Sequence, residues 1–238
     1  MHLSAAEPVP ALVTLHLWRI PRSAVPSAVL RMARDRGRVR RTPGLRFAKL
    51  LGTGDGRTFT ARDADPLRWG LLATWTSAEA ARAFDRDSPV AAAWGRLAQE
   101  SFRVDLRPVS SQGAWSGRTP FGAPVPVRHH GPVAALTRAR LRPASARAFW
   151  RSVPPVSTDL RGRPGLRAAV GIGEAPLGLQ GTFSLWESGE ALGAFARGPA
   201  HAAVVARTAP ERWYSEELFA RFAVVGSAGT LDGRDPLA

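Results

Sequence analysis

The chain has 238 residues, 45% of them hydrophobic; that is enough for one large core or two small ones, and no apolar run approaches the ~20 residues that span a bilayer. It contains no cysteine, which excludes disulfides, thiolate haem ligation, cysteine-held iron–sulfur clusters and a cysteine nucleophile. The formal charge is +14, but Lys49 is the only lysine and the arginines are scattered, as a GC-rich genome produces, with no recognition-helix, zinc-finger or RNA-motif signature.

Nucleic acid is therefore not an expected partner, whereas weak contact with an anionic membrane is. The first residues, Met1 to Pro8, show no basic leader and no long apolar stretch. The expected location is cytoplasmic, at most peripheral to a membrane.

In chain order, residues 11–20 read as a strand rich in β-formers, closed by Pro21. Residues 25–36 carry helical apolar spacing through Val25, Val29, Met32 and Ala33. A second strand is expected over 44–52, a polar Gly/Asp loop over 53–65 and a short apolar strand over 69–75. Ser77 caps a helix over 77–84, and Ser88-Pro89 restarts one in the favoured way, with Ser at the cap and Pro in the first turn. A fourth strand alternates over 102–109.

A Gly/Pro/Ser-rich linker over 110–131 follows, and then the order repeats. Strands are expected over 133–141, 166–172, 182–186 and 218–225. Helices are expected over 144–160 and 188–208, the latter broken at Gly198-Pro199.

The repeat is written into the residues themselves. Thr42-Pro43-Gly44-Leu45-Arg46 is echoed by Arg163-Pro164-Gly165-Leu166-Arg167, and Trp75-Thr76-Ser77-Ala78-Glu79-Ala80 by Trp186-Glu187-Ser188-Gly189-Glu190-Ala191. The tryptophans lie 111 positions apart (186 − 75), as do Phe84 and Phe195, while the glycines lie 121 apart (165 − 44), so the copies differ by ten residues. Internal duplication of a βαββαβ order predicts an α+β protein of two tandem ferredoxin-like halves, 11–109 and 132–230. Helices cover one face of each sheet, and the other faces pack sheet to sheet as a pseudo-symmetric α+β barrel. Whatever distinguishes one half from the other is where function is sought.

The second half resembles the spheroidene monooxygenase family of carotenoid biosynthesis. The residues carrying the resemblance are Gly131-Pro132-Val133-Ala134-Ala135-Leu136-Thr137-Arg138-Ala139, Phe149-Trp150, Gly171-Ile172-Gly173-Glu174-Ala175-Pro176, Gln180 through Trp186, His201, and Trp213-Tyr214-Ser215-Glu216-Glu217-Leu218-Phe219-Ala220-Arg221-Phe222. The first half matches through Trp75 and through Trp115-Ser116-Gly117 with Pro120-Phe121. The resemblance implies an oxygenase acting on a long apolar polyene, with haem b as cofactor. The dimeric α+β barrel group, which the duplicated fold is similar to, also includes oxygenases with no cofactor, so the fold does not decide the chemistry.

A haem iron takes an axial donor, and without cysteine the donors are His, Tyr or Met. Tyr214 is the only tyrosine, the methionines are Met1 and Met32, and the histidines are His2, His16, His129, His130 and His201. His201 follows the Gly198-Pro199 restart, has small and aliphatic neighbours (Ala194, Gly198, Val204, Val205), and aligns with Ala91, so it is absent from the first half. It is the expected metal ligand, and the alternative reading is a solvated histidine at a helix start. His16, in mid-strand, is the next candidate. His129 and His130 face opposite ways in extended chain and do not share a metal, and no two-histidine, one-carboxylate spacing supports non-haem iron.

Arg138, Arg140 and Arg142 share one strand face, and Arg138 is the expected partner of a haem propionate. Trp186, Trp213, Tyr214 and Phe183 are the expected substrate-pocket residues, and Glu216 and Glu217 are candidates to orient a proton path. Gly171-Ile172-Gly173 and Gly52-Thr53-Gly54 lack the helix a dinucleotide fingerprint needs, so electrons are expected from an external donor. The leading reading is a haem-dependent monooxygenase for a carotenoid or a secondary metabolite. The alternatives are a cofactor-free oxygenase of the antibiotic-biosynthesis type, a haem-dependent non-oxygenase such as a dehydratase, and a non-catalytic haem or lipophile carrier.

Overall fold

A computed structural model describes residues 7–57, 61–174, 179–208 and 210–238. The Ala175-Pro176 end of one family-like block, and part of the polar loop expected over 53–65, lie outside the described residues.

The first half runs β1 (Leu12–Arg19), α1 (Val25–Arg40), β2 (Leu45–Gly54), β3 (Ala64–Trp75), α2 (Ala78–Asp87), α3 (Pro89–Leu97) and β4 (Glu100–Gly113). The second half runs β5 (Val133–Leu141), α4 (Ala146–Arg161), β6 (Leu166–Gly173), β7 (Leu179–Trp186), α5 (Gly189–Ala196), α6 (Pro199–Thr208) and β8 (Tyr214–Gly229). Ser77, Ser88 and Ser188 each accept a backbone N–H in the first turn of α2, α3 and α5, so the cap signals determine where these helices start. β2 and β3 run further into the expected 53–65 loop, and β4 continues four residues into the expected linker, where Gly113 pairs with Leu218 of β8.

Among the described residues, eight antiparallel strands close a barrel in the order β1-β3-β2-β6-β7-β5-β8-β4. Each half contributes four consecutive strands in the same relative order. Closure is edge to edge, through β2–β6 and the long β4–β8 ladder, so neither half exposes a free sheet edge. Alternation sends Val13, Leu15 and Leu17, with Phe102, Val104, Leu106, Ala134, Leu136, Phe183 and Phe222, into one interior core. The helices pack outside.

A second echo closes both ends of the barrel. Trp115-Ser116-Gly117-Arg118 and Leu231-Asp232-Gly233-Arg234 each form a bridged two-residue turn. Ser116 and Asp232 both have φ of 56°, followed by Gly117 at 71° and Gly233 at 79°, the left-handed pair a tight hairpin requires. Trp115 and Leu231 plug the interior core. Glu216 accepts the backbone N–H groups of Ser116 (3.0 Å) and Gly117 (2.7 Å), while Glu100 accepts that of Gly233 (2.6 Å) and the Thr230 hydroxyl (3.0 Å). The two glutamates are equivalent, and each pins the turn of the other half.

Candidate functional site

The outer faces of the two halves differ, and register explains how. Leu12 of β1 pairs with Trp75, and Val133 of β5 pairs with Trp186, so the 121 and 111 offsets place the strands in correspondence. In the first half His16, Trp18, Leu50 and Leu71 point out of the barrel and pack under α1–α3 against Phe84 and Trp94. His16 stacks on Trp18 at 5.5 Å and Trp18 on Trp94 at 5.3 Å. The corresponding residues of the second half are Thr137, Ala139, Gly171, Thr182 and, for Trp94, Val204. Smaller residues replace larger ones at these five positions, while Phe84 keeps its counterpart in Phe195. The result is a cavity of about 770 Å³ between the outer face of β5–β8 and helices α4–α6.

Its walls are largely apolar: Phe149, Val156, Leu160, Leu192, Phe195, Val204 and Phe219 among others. The volume is within the usual range of ~300–1,000 Å³ for small-molecule pockets. Asp55 and Gly56 of the first half reach the rim. Arg161 donates to the Asp55 carbonyl and the Ser157 hydroxyl to the Gly56 carbonyl, which ties the β2–β3 connection to α4. That connection accounts for the ten-residue difference between the copies: Gly44 to Trp75 spans more chain than Gly165 to Trp186. Pro154 and Pro155 lie inside α4 and remove two helical N–H donors from the wall over the cavity.

His201 lines this cavity from α6. Its Nδ1 lies 3.0 Å from the carbonyl oxygen of Ala196. A carbonyl only accepts, so Nδ1 carries the proton and Nε2 keeps a free lone pair. Burial, opposed by that hydrogen bond and reinforced by the charge of Arg221, holds the imidazole below its ordinary pKa and therefore neutral. Phe195 flanks the ring at 5.2 Å. Arg221 also lines the cavity and has no acidic partner among the described residues. Tyr214 is a lining residue whose pKa is pushed up to about 12, first by burial and then by Glu217, so the phenol keeps its proton.

Several expected site residues lie elsewhere. Arg138 is not at the cavity: it shares the inward face of β5 with Ala134 and Leu136 and is 2% exposed. Its guanidinium donates to Glu216 and, at 3.1 Å, to Glu174. Glu174 also accepts from Lys49 (2.5 Å) and from Trp115 Nε1 (2.6 Å), so this network locks both halves at one end of the barrel. Burial opposes ionisation of Glu174, but the Lys49 and Trp115 hydrogen bonds and the charges of Lys49 and Arg138 outweigh it, and the carboxyl sits below its ordinary value.

Of the expected pocket aromatics, Tyr214 alone lines the cavity. Phe183 points into the barrel, Trp186 packs on Phe195 at 5.3 Å, and Trp213 is fully buried against Phe149 with its Nε1 on Glu211. Glu216 belongs to the turn it caps, whereas Glu217 is at the cavity. His16 is enclosed by aromatics, with Nε2 on Asp85 at 2.9 Å, and burial drives its pKa down to about 3. His129 lies on its own loop, bonded to the Pro132 carbonyl. The sequence reading missed Thr137, Ala139, Gly171, Thr182 and Arg221. Aligning the copies residue by residue exposes the first four as large-to-small exchanges.

No family model matches the chain. Among solved structures, two aldoxime dehydratases, one in complex with butyraldoxime, superpose with a TM-score of 0.62 at 11% and 13% identity; they cover 92% and 93% of this chain and 81% and 83% of their own, a likeness of fold. The spheroidene monooxygenase of Rhodobacter capsulatus is 36% identical over 232 residues, 95% of each chain. That of Rubrivivax gelatinosus is 42% identical over 81% of this chain and 73% of its own. That of Cereibacter sphaeroides is 36% identical over 82% of this chain, which spans only 60% of that protein. With this identity over nearly its whole length, the chain belongs to the spheroidene monooxygenase family of oxidoreductases.

Proposed function

We propose that the chain is a haem-dependent monooxygenase for an extended apolar molecule, a carotenoid first of all, built as two tandem ferredoxin-like units of which the second holds the site. The observation that carries this reading is the asymmetry of the halves. The space that His16, Trp18 and Trp94 fill in one half is a cavity in the other, with a neutral histidine on its wall.

The residues present fit a haem. The cavity walls are apolar, His201 offers an Nε2 lone pair, and Arg221 offers a free guanidinium to a propionate. His201 would hold the iron through Nε2, its ring orientation fixed by the Ala196 carbonyl. Bound haem would supply dioxygen activation, with electrons from a separate donor. The chain itself supplies apolar walls through Phe149, Leu160, Phe195 and Val204, and holds the Tyr214 proton at neutral pH.

The test is turnover of spheroidene with an electron donor under ¹⁸O-labelled dioxygen. One labelled oxygen atom per product is the expected result. Unlabelled product, or none in the presence of saturating haem and reductant, refutes the reading.

A further inference from the structure

We propose that the outward face of α1 docks this protein on an anionic lipid bilayer. The helix has two unlike faces. Ala28, Asp35 and Val39 are buried against the barrel, and Val25 and Met32 pack on the same core. The opposite face carries Pro26, Val29, Leu30, Ala33 and Gly37, all exposed, with 26, 29 or 30, 33 and 37 following the three-to-four-residue helical repeat. Val29 and Leu30 are 56% and 54% exposed, two of the few large hydrophobic side chains left in solvent.

Arginines border this apolar strip. By helical spacing Arg36 lies on one flank, Arg34 on the other, and Arg40 and Arg41 at the C-terminal end. All four are exposed and none has an acidic partner among the described residues. The acid on the helix, Asp35, is buried on the far face, where Arg31 and Arg38 engage it. An exposed strip of apolar residues bordered by unpaired, snorkelling arginines and free of carboxylates is the complement of an anionic interface. A nucleic acid would match the charge but leave Val29 and Leu30 without a partner. A second copy of this chain would bring arginine against arginine.

This docking surface lies on the first half and does not rest on the haem reading. Cosedimentation of the full chain is measured with phosphatidylglycerol/phosphatidylcholine vesicles and with pure phosphatidylcholine vesicles. Binding to the anionic vesicles, weakened by salt, is expected. Arg34→Gln/Arg36→Gln/Arg40→Gln should weaken the partition on the order of 100-fold, from roughly 1 kcal/mol per basic residue. Val29→Gln/Leu30→Gln should weaken it without changing net charge.

Removing the same charge elsewhere on the exposed surface, as Arg107→Gln/Arg147→Gln/Arg151→Gln, should have little effect. Equal loss in that control overturns the assignment to α1. So does full binding by the Val29/Leu30 variant. Retention of duplex DNA but not vesicles, or a dimer disrupted by the same substitutions with no vesicle binding, also overturns it. Far-UV circular dichroism and unchanged thermal unfolding establish that each variant is folded.

Discussion

Replacing Ala139 by Trp copies into the second half the residue that fills the first. Enlarging a buried alanine ordinarily overpacks a core and costs about 1–3 kcal/mol. Here the sign should reverse, because Ala139 faces a cavity of about 770 Å³ and its counterpart Trp18 sits stacked and 4% exposed in the same position of the other half. Burying an indole of ~150–250 Å² sets a ceiling of about 4–6 kcal/mol at ~25 cal/mol/Å². Incomplete contact and lost side-chain freedom reduce that to the usual cavity-filling gain of about 0.5–2 kcal/mol. Urea unfolding of the ligand-free protein should therefore show a raised midpoint with an unchanged slope. Haem titrated into the variant should lose most of its affinity. Destabilisation by 1 kcal/mol or more, or wild-type haem affinity, refutes the claim that small-for-large exchange made the cavity.

Acid should unfold the protein early. His16 is neutral in the fold with a pKa lowered from 6.5 to about 3, so the unfolded chain binds the extra proton between those values. Its contribution is fully present above pH 6.5 and falls by roughly 1.4 kcal/mol per pH unit down to about 3. Glu174 and Glu216, held low, add to the loss below the carboxylate range. Urea midpoints measured from pH 7.5 to 4 check this, and His16→Gln should flatten the slope between pH 6.5 and 5. Arg138→Met leaves Glu216 in the barrel end without its cation and Glu174 with Lys49 alone, so a stability loss of up to about 3–5 kcal/mol is expected by chemical denaturation, with haem affinity of the folded fraction unchanged. Arg221→Gln should act oppositely: stability within about 0.5 kcal/mol, as for other exposed sites, and faster haem loss to apomyoglobin.

The fold was largely legible because its signals are local. Serine caps, the Pro89 and Pro199 restarts and strand alternation each act over a few residues. The duplication supplied the long-range order that such signals lack. What it did not supply was closure: the β2–β6 and β4–β8 edges join strands with no turn between them, and nothing in either strand names its partner. The site was half legible. His201 stood out because Ala91 occupies its place in the first half. Arg138 was expected at a haem propionate because a guanidinium suits any carboxylate, and a strand pattern does not say which one; here the barrel turns it inward, where two distant glutamates receive it. The aromatics misled for a related reason. A cavity is defined by missing side chains, and Ala139, Gly171 and Thr137 attract no notice until Trp18, Leu50 and His16 are set beside them.

The central claim is that the second half holds haem through His201, and a cavity rescue tests it most directly. His201→Gly is reconstituted with haem and its absorption spectrum recorded with and without added imidazole. The account predicts loss of haem retention, native far-UV circular dichroism, and recovery of the parent Soret band as imidazole occupies the vacated position. A His201→Gly protein that binds haem with the parent spectrum and affinity, with no response to imidazole, contradicts it.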